Sequence, residues 1–344
     1  MQCIIFLPVS QCLRLALLFD RNYHHGGIFM PRTYQLPDSL SPEQKAYIND
    51  VCNKIDALIT FSRKADKTRQ TYKTYTRPFM AWCFTDCGMN PESAGPDEIR
   101  TFIDELQEER ELSDRTVNHA IFEIKYLYLS VFGQSWNPYL VPTRKFDEFI
   151  AFVPTHEEVE KLLSSIDDPE LLAAFCIMYG SGLRISEVCR LVFGDILATA
   201  GLIDVRPGTT KNRRERRTVL PGKVLEIIKR YAVSRFVRHG IPINRESLLF
   251  PSTTDLTKPV SPWTIGSRIR DYEARLGWEH RFTCHTFRRA FATHNYIDKN
   301  MTLEEISAAL GHRDVDVTKI YLKRNCLWLQ QGNHWNNAID SMNI

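Results

Sequence analysis

Apolar residues recur at helical spacing along most of this chain, and two short stretches alternate instead. Behind a polar lead, Tyr47, Val51, Ile55 and Leu58 mark one face of an amphipathic helix within residues 31–60. From Ser62 to about Phe132 the pattern is helical throughout. Lys67–Cys83 carries Tyr72, Tyr75, Phe79 and Trp82 on one face, and Pro96 and Asp97 start a helix with Ile99, Phe102, Ile103 and Leu106 together. Ser113 or Asp114 caps a third, which runs through Val117, Ile121, Ile124, Leu127 and Tyr128. Trp136, Asn137, Pro138, Pro142 and the basic pair Arg144 and Lys145 then interrupt the periodicity and read as a linker.

The second half mixes both periods. Thr155 and Glu158 fit a capping box opening a helix with Val159, Leu162 and Leu163, and the apolar run Leu171–Tyr179 reads as a buried helix. Leu202–Val205 and Arg217–Leu220 read as two strands of a hairpin, with Gly208 and a basic loop between them. Further helices are expected around Val224–Val237, Thr264–Leu276, Cys284–Ile297, Thr302–Leu310 and Val315–Leu322. The fold class is therefore mainly α with a small antiparallel β-sheet. It comprises an amino-terminal lead (30–60), a helical domain (61–135), a linker (136–153), an α+β domain (154–325) and a tail (326–344).

At 344 residues the chain has room for two cores, and 43% hydrophobic with 25% charged residues is ordinary for a globular protein. A net charge of +3 does not by itself imply nucleic acid, but its distribution adds something. Between Arg206 and Arg217 stand Arg206, Lys211, Arg213, Arg214, Arg216 and Arg217 against the single acid Glu215. A solvated loop and a phosphate-binding patch both fit that run. In the helical domain Arg69, Tyr72, Lys73, Arg115 and Lys125 suit either a DNA backbone or water.

The nine cysteines form no C-x-x-C, and Cys83 and Cys87 lack a second ligand pair. No metal site is expected, and a reducing cytoplasm is. Ile4–Phe19 mimics a signal peptide, but Gln11 and Arg14 interrupt it, no basic region precedes it and no small-residue cleavage site follows. Residues 1–29 are read as a non-essential upstream extension, with Met30 as the working start.

Four separated segments carry candidate chemistry. In Gly180-Ser181-Gly182-Leu183-Arg184, a glycine-flanked arginine follows a buried helix, and Glu187 lies on the same helical face to steer it. Arginine is suited to holding two phosphate oxygens at once. Lys211 sits in the hairpin loop and is the only lysine between Gly201 and Leu220. His285 and Arg288, three apart, project together from one helix. Thr302 and Glu305 can box-cap a helix that Gly311 ends in the left-handed conformation, which places His312 at a fixed helix end nine positions before Tyr321. Taken singly, each has an ordinary structural explanation: a salt-bridged arginine, a solubilising lysine, a satisfied histidine, a core tyrosine.

Taken in order, the segments resemble the tyrosine recombinase, or phage integrase, family. The glycine-rich turn with Arg and a later Glu matches Gly182 to Glu187, the hairpin lysine matches Lys211, and the H-x-x-R box matches His285 and Arg288. The L-G-H, Thr, Tyr pattern matches Leu310, Gly311, His312, Thr318 and Tyr321. The sequence departs from the family in lacking the doubled lysine in the hairpin. The segment before residue 61 shows no pattern of an additional arm-binding domain.

The resemblance implies a helical core-binding domain at 61–135 and a catalytic domain at 154–325. It also implies metal- and ATP-independent strand transfer on double-stranded DNA, with no cofactor. Arg184 and Arg288 would neutralise nonbridging oxygens, His312 would hydrogen-bond the phosphate, His285 would act as base, and Lys211 would protonate the leaving 5′ oxygen. Tyr321 would form a 3′-phosphotyrosyl link. A homotetramer on two duplexes is implied, and Leu327, Trp328, Leu329 and Trp335 in the tail suit packing on a neighbouring subunit or on their own domain. Integration or excision of a mobile element is the expected role, with resolution of chromosome or plasmid dimers as an alternative. A type IB topoisomerase and a catalytically decayed DNA-binding protein are the rival readings.

Overall fold

The computed structural model describes residues 35–62, 66–146, 152–207, 215–240, 243–298, 300–312, 314–316 and 318. Residues 1–29, Lys211, Tyr321 and the tail at 326–344 lie outside them. The chain divides into two compact units, up to residue 148 and from 149 onward.

In the first unit, helix α1 (Pro42–Phe61) starts from a capping box in which Ser41 accepts from the Gln44 N–H and Gln44 accepts from the Ser41 N–H. Its buried stripe is Ile48, Val51, Cys52, Ile55 and Ile59, so Tyr47 and Leu58 flank the core and do not centre it. The helix expected across Lys67–Cys83 is broken into α2 (Asp66–Thr71) and α3 (Thr76–Thr85). The cause lies far along the chain. Glu123, on α5 (Asp114–Tyr126), is 4% exposed and accepts the Tyr75 N–H at 2.7 Å and the Thr76 N–H. A buried carboxyl group thus takes donors that a continuous helix would direct to carbonyls one turn back.

Helix α4 (Pro96–Glu108) buries Ile99, Phe102, Ile103 and Leu106, the face its periodicity indicates. Ser113 caps α5, and beyond Tyr126 the helix widens into a π turn (Leu127–Val131), where the Phe132 N–H reaches the Leu127 carbonyl at 3.1 Å. Phe79, Trp82, Phe102 and Tyr128 form the aromatic centre of this unit.

The second unit is built around α7 (Pro169–Ser181), which buries Leu171, Phe175, Ile177 and Met178 around its circumference. Such an all-apolar helix must be covered on several sides. Three further helices surround it: α6 (His156–Ser164, with the expected Thr155/Glu158 box), α9 (Gly222–His239) and α12 (Cys284–Ile297). Phe175 and Phe287 stack at 5.3 Å across the α7–α12 contact, each ring contributing about 2–3 kcal/mol by burial. Short α8 (Ile185–Val188) follows α7, and α13 (Leu303–Leu310) packs on the sheet.

That sheet has three antiparallel strands in order, β1 (Ile196–Leu197), β2 (Leu202–Val205) and β3 (Arg216–Val219). Leu202 pairs with Val219 and Val205 with Arg216. Two strands are legible in the sequence, whereas β1 is only two residues long, too short to show a period. Strand β3 also starts one residue earlier than its pattern suggests, turning Arg216 and Thr218 inward and Arg217 outward.

The helix expected at Thr264–Leu276 divides into α10 (Pro262–Ser267) and α11 (Ile269–Arg275). They meet at Arg268, whose N–H closes a tight turn on the Ile265 carbonyl. Most of the element expected at Val315–Leu322 falls outside the described residues. No helix among the described residues is long and apolar enough to cross a membrane.

The basic run is not a uniform patch. Arg206 pairs with Asp195 at 3.0 Å, Arg217 with Asp204 at 2.8 Å, and Arg216 with Glu187 at 2.7 Å. Lys211, Arg213 and Arg214 lie outside the described residues.

Candidate active site

Two glycines bring the segments together. Gly182 ends α7 at φ 66°, and Gly311 ends α13 at φ 69°, both in the left-handed region that suits glycine. Gly182 also sits where side chains crowd: a Cβ there would lie 2.5 Å from a Phe291 ring carbon and 2.9 Å from a Leu310 methyl. The end of α7 is thereby pressed against α12 and α13.

Arg184 follows at once as the cap of α8. Its N–H donates to Glu187 Oε2 at 2.9 Å and its Nη1 to Glu187 Oε1 at 3.0 Å, so the carboxylate fixes both backbone and guanidinium. Glu187 is 1% exposed. Burial pushes its pKa up, but the hydrogen bonds and charge of Arg216, then those of Arg184, outweigh burial and hold the carboxyl below its ordinary value.

Arg288, on α12, is buried and spans the junction. It donates from Nη1 to the Gly182 carbonyl at 2.6 Å and from Nη2 to the Leu310 carbonyl at 2.7 Å, and Nη2 stands 3.3 Å from His312 Nε2. Arg288 thus ties together the C-terminal ends of α7 and α13, where carbonyls lack helical partners and the dipole favours a cation.

His285 lies one turn before Arg288 and its side chain reaches solvent. Surrounding protein nevertheless desolvates the imidazole, and with the charges of Arg288, Arg289 and Arg184 lowers its pKa below the ordinary value. His312 follows Gly311. Its Nδ1 lies 2.8 Å from the hydroxyl of buried Thr318, and burial, then Arg288, Arg184 and Arg216, lower its pKa to about 4. Both histidines are neutral at pH 7, and neutral imidazole can accept a proton.

Arg184, Glu187, Arg288 and His312 therefore converge, with His285 one turn away on the helix that carries Arg288. Lys211 and Tyr321 lie outside the described residues. Two more groups complete the cluster: Arg216, which spacing alone does not single out, and Thr318, which the motif resemblance includes. Arg216 grips Glu187 through both terminal nitrogens and the Ala309 carbonyl through Nε at 2.8 Å. Strand alternation carried back two residues from inward Thr218 would have found it. Thr318, which belongs to the Tyr321 motif, holds His312.

His294, in the same helix as His285, has a different environment. Its Nδ1 accepts from Tyr179 Oη and its Nε2 donates to the Pro154 carbonyl, both at 2.9 Å. It is a satisfied core histidine that secures the start of this unit.

The chain matches the phage integrase family model over residues 153–326 and the phage integrase N-terminal SAM-like domain over residues 52–138. It is similar to the tyrosine recombinase XerA of Thermococcus onnurineus, 27% identical over 281 residues that cover 80% of this chain and 91% of that protein. The tyrosine recombinase XerD of Yersinia pestis is 26% identical, over 78% of this chain and 90% of that protein. The fold is shared with solved integrases. A lambda integrase dimer bound to a core site has TM-score 0.62 at 14% identity, over 84% of this chain and 98% of that one. The Tn1549 transposon integrase in complex with transposon right end DNA has TM-score 0.60 at 18% identity, over 82% and 99%. Matched by the catalytic model over more than half its length, the chain belongs to the phage integrase family, the tyrosine recombinases.

Proposed function

We propose that this protein cuts and rejoins double-stranded DNA at specific sites through a phosphotyrosyl intermediate formed by Tyr321. The observation that carries the proposal is Arg288, whose guanidinium links the Gly182 and Leu310 carbonyls and faces His312 at 3.3 Å, beside an Arg184 held by Glu187. Cations fixed in this way suit the charge that builds on nonbridging oxygens in a pentacoordinate transition state.

In the proposed reaction Tyr321 Oη attacks phosphorus and its proton passes to His285. A phenol ordinarily titrates near pKa ~10, so it needs both a base and a positive field. As the bond from phosphorus to the 5′ oxygen breaks, Lys211 gives that oxygen a proton, leaving a 3′-phosphotyrosyl link and a 5′-hydroxyl. Attack by a 5′-hydroxyl of a partner strand reverses these steps and joins the new strands. The link conserves the bond, so no nucleotide triphosphate is consumed. In this reading residues 61–135 touch the DNA, four copies hold two duplexes, and the protein works in the cytoplasm on integration or excision of a mobile element.

The test is covalent capture. The full chain is incubated with duplexes randomised around a fixed nick, denatured, and the attached DNA is sequenced. Enrichment of a defined sequence joined through its 3′ phosphate, and its loss in Tyr321→Phe with DNA affinity kept, is the expected result. Binding with no adduct would leave a DNA-binding protein without catalysis. Relaxation of any supercoiled plasmid without strand exchange would indicate a topoisomerase.

A further inference from the structure

We infer that Arg216 is a positioning residue for strand cleavage: through Glu187 it sets the guanidinium of Arg184, and through the Ala309 carbonyl it ties that pair to the helix end that presents His312. The inference rests on the function proposed above and adds to it a residue that the family boxes quoted earlier do not contain.

The geometry is that of a two-sided clamp. Arg216 Nη1 and Nη2 meet Glu187 Oε1 and Oε2 at 3.0 and 2.7 Å, the fork-to-fork arrangement that only arginine offers. The remaining Nε donates to the Ala309 carbonyl at 2.8 Å. The side chain is 9% exposed and that of Glu187 1%, so neither can exchange partners with water cheaply. Glu187 Oε1 is shared, accepting from both Arg216 Nη1 and Arg184 Nη1 at 3.0 Å. A movement of Arg216 must therefore appear at Arg184. The fit to α13 is equally close, since a Cβ on Gly311 would lie 2.8 Å from Arg216 Cδ.

Two features separate this role from mere support of the core. The side chain of Arg216 directs its hydrogen bonds to Glu187 and the Ala309 carbonyl, beside the Gly311 turn, and so orders polar groups of the cluster. Strand β3, which Arg216 begins, also returns from the loop that carries Lys211, so the clamp sits where the hairpin joins the cluster.

Lysine keeps the charge of Arg216 but cannot span both carboxylate oxygens and the carbonyl. The substrate for the test is the nicked duplex recovered covalently from the wild-type protein, made with either a normal scissile phosphate or a neutral methylphosphonate. On the normal duplex Arg216→Lys is expected to form adduct about 10- to 100-fold more slowly at saturating protein, up to the cost of a small misplacement of a reacting group. Its DNA affinity should stay within about threefold, because the clamp faces the protein interior. On methylphosphonate, which lacks the charge Arg184 would neutralise, the deficit should shrink at least about fivefold. Combined with Arg184→Ala, Arg216→Lys should add less loss than it causes alone, since its effect through Glu187 and Arg184 is then already gone.

Glu187→Gln, of the same shape, should show the same rescue and serves if Arg216→Lys melts early. Wild-type rates in both variants would overturn the inference. So would a deficit equal on both duplexes, or one that multiplies with Arg184→Ala. A wild-type protein that forms no adduct would instead overturn the function on which the inference rests.

Discussion

Arg288 Nη2 and His312 Nε2 face each other at 3.3 Å, a guanidinium that can only donate against an imidazole nitrogen that must therefore accept. The proton of neutral His312 consequently sits on Nδ1, which donates to Thr318 Oγ1 at 2.8 Å. At pH 6 an ordinary histidine is largely charged, but burial and then Arg288, Arg184 and Arg216 bring this one to about 4. Long-range nitrogen–proton NMR of the protein alone at pH 6 should find a neutral ring protonated at Nδ1. An imidazolium, or a proton on Nε2, would contradict the assignment. Donation to a phosphate then requires the ring either to change tautomer, with the Thr318 hydroxyl turning to donate to Nδ1, or to gain a proton on Nε2 while Nδ1 keeps donating to Thr318.

Glu123 should make the helical unit lose stability as pH rises. Burial, only partly opposed by the Tyr75 and Thr76 N–H groups, raises its pKa to about 8. The unfolded carboxyl ionises near its ordinary value while the folded one resists, so its contribution is full below pH ~4.5 and falls away up to about pH 8. Glu123→Gln cannot ionise. Its stability relative to wild type, read from chemical denaturation of the full chain, should improve by about 2–4 kcal/mol between pH 5 and pH 8.5. A difference that does not change with pH would refute this.

Gly182→Ala tests whether the end of α7 is as crowded as it looks. At φ 66° alanine is strained, and its methyl would meet the Phe291 ring. We expect a loss of about 2–4 kcal/mol, combining left-handed strain with overpacking. Adduct formation should be impaired even below the melting temperature, because Arg288 hangs from the Gly182 carbonyl. A variant with wild-type melting behaviour would show that the contact relaxes easily.

The parts readable from sequence were those decided locally. The capping box of Thr302 and Glu305 and the left-handed Gly311 bound α13, and Cys284–Ile297 has the limits its periodicity marks. The glycine turn, His285, Arg288 and His312 were legible because each motif lies within one turn or helix. What stayed hidden depends on distant partners. Tyr75 lies in a helical pattern, but the Glu123 carboxyl that takes its N–H is 48 residues away. Arg216 looked like one more charge in a basic loop, while its partners, Glu187 and Ala309, lie 29 and 93 residues away. The helix expected at Thr264–Leu276 bends through a single tight turn at Arg268, which leaves no mark on an apolar pattern.

Lys211→Ala should slow cleavage of normal DNA by about 10²–10⁴-fold if the lysine protonates the leaving 5′ oxygen. Replacing the scissile bridging oxygen by sulfur should restore most of that rate, because a thiolate departs without a proton. Arg184→Ala should gain no such rescue. A Lys211 variant equally slow on the sulfur substrate would move the acid role elsewhere.

The carbonyls that receive Arg288 and Arg216 have an entropic consequence. A free arginine loses roughly 2 kcal/mol of rotamer freedom when it is clamped onto a ligand. Here that loss is incurred on folding, when the guanidinium of Arg288 is fastened to Gly182 and Leu310 and that of Arg216 to Ala309. An incoming phosphate meets cations that are already ordered, and little reorganisation remains for the transition state. The same economy makes reactivity depend on the last turns of two helices: fraying at Leu310 or Gly182 would release the cations while the core around Phe175 still holds.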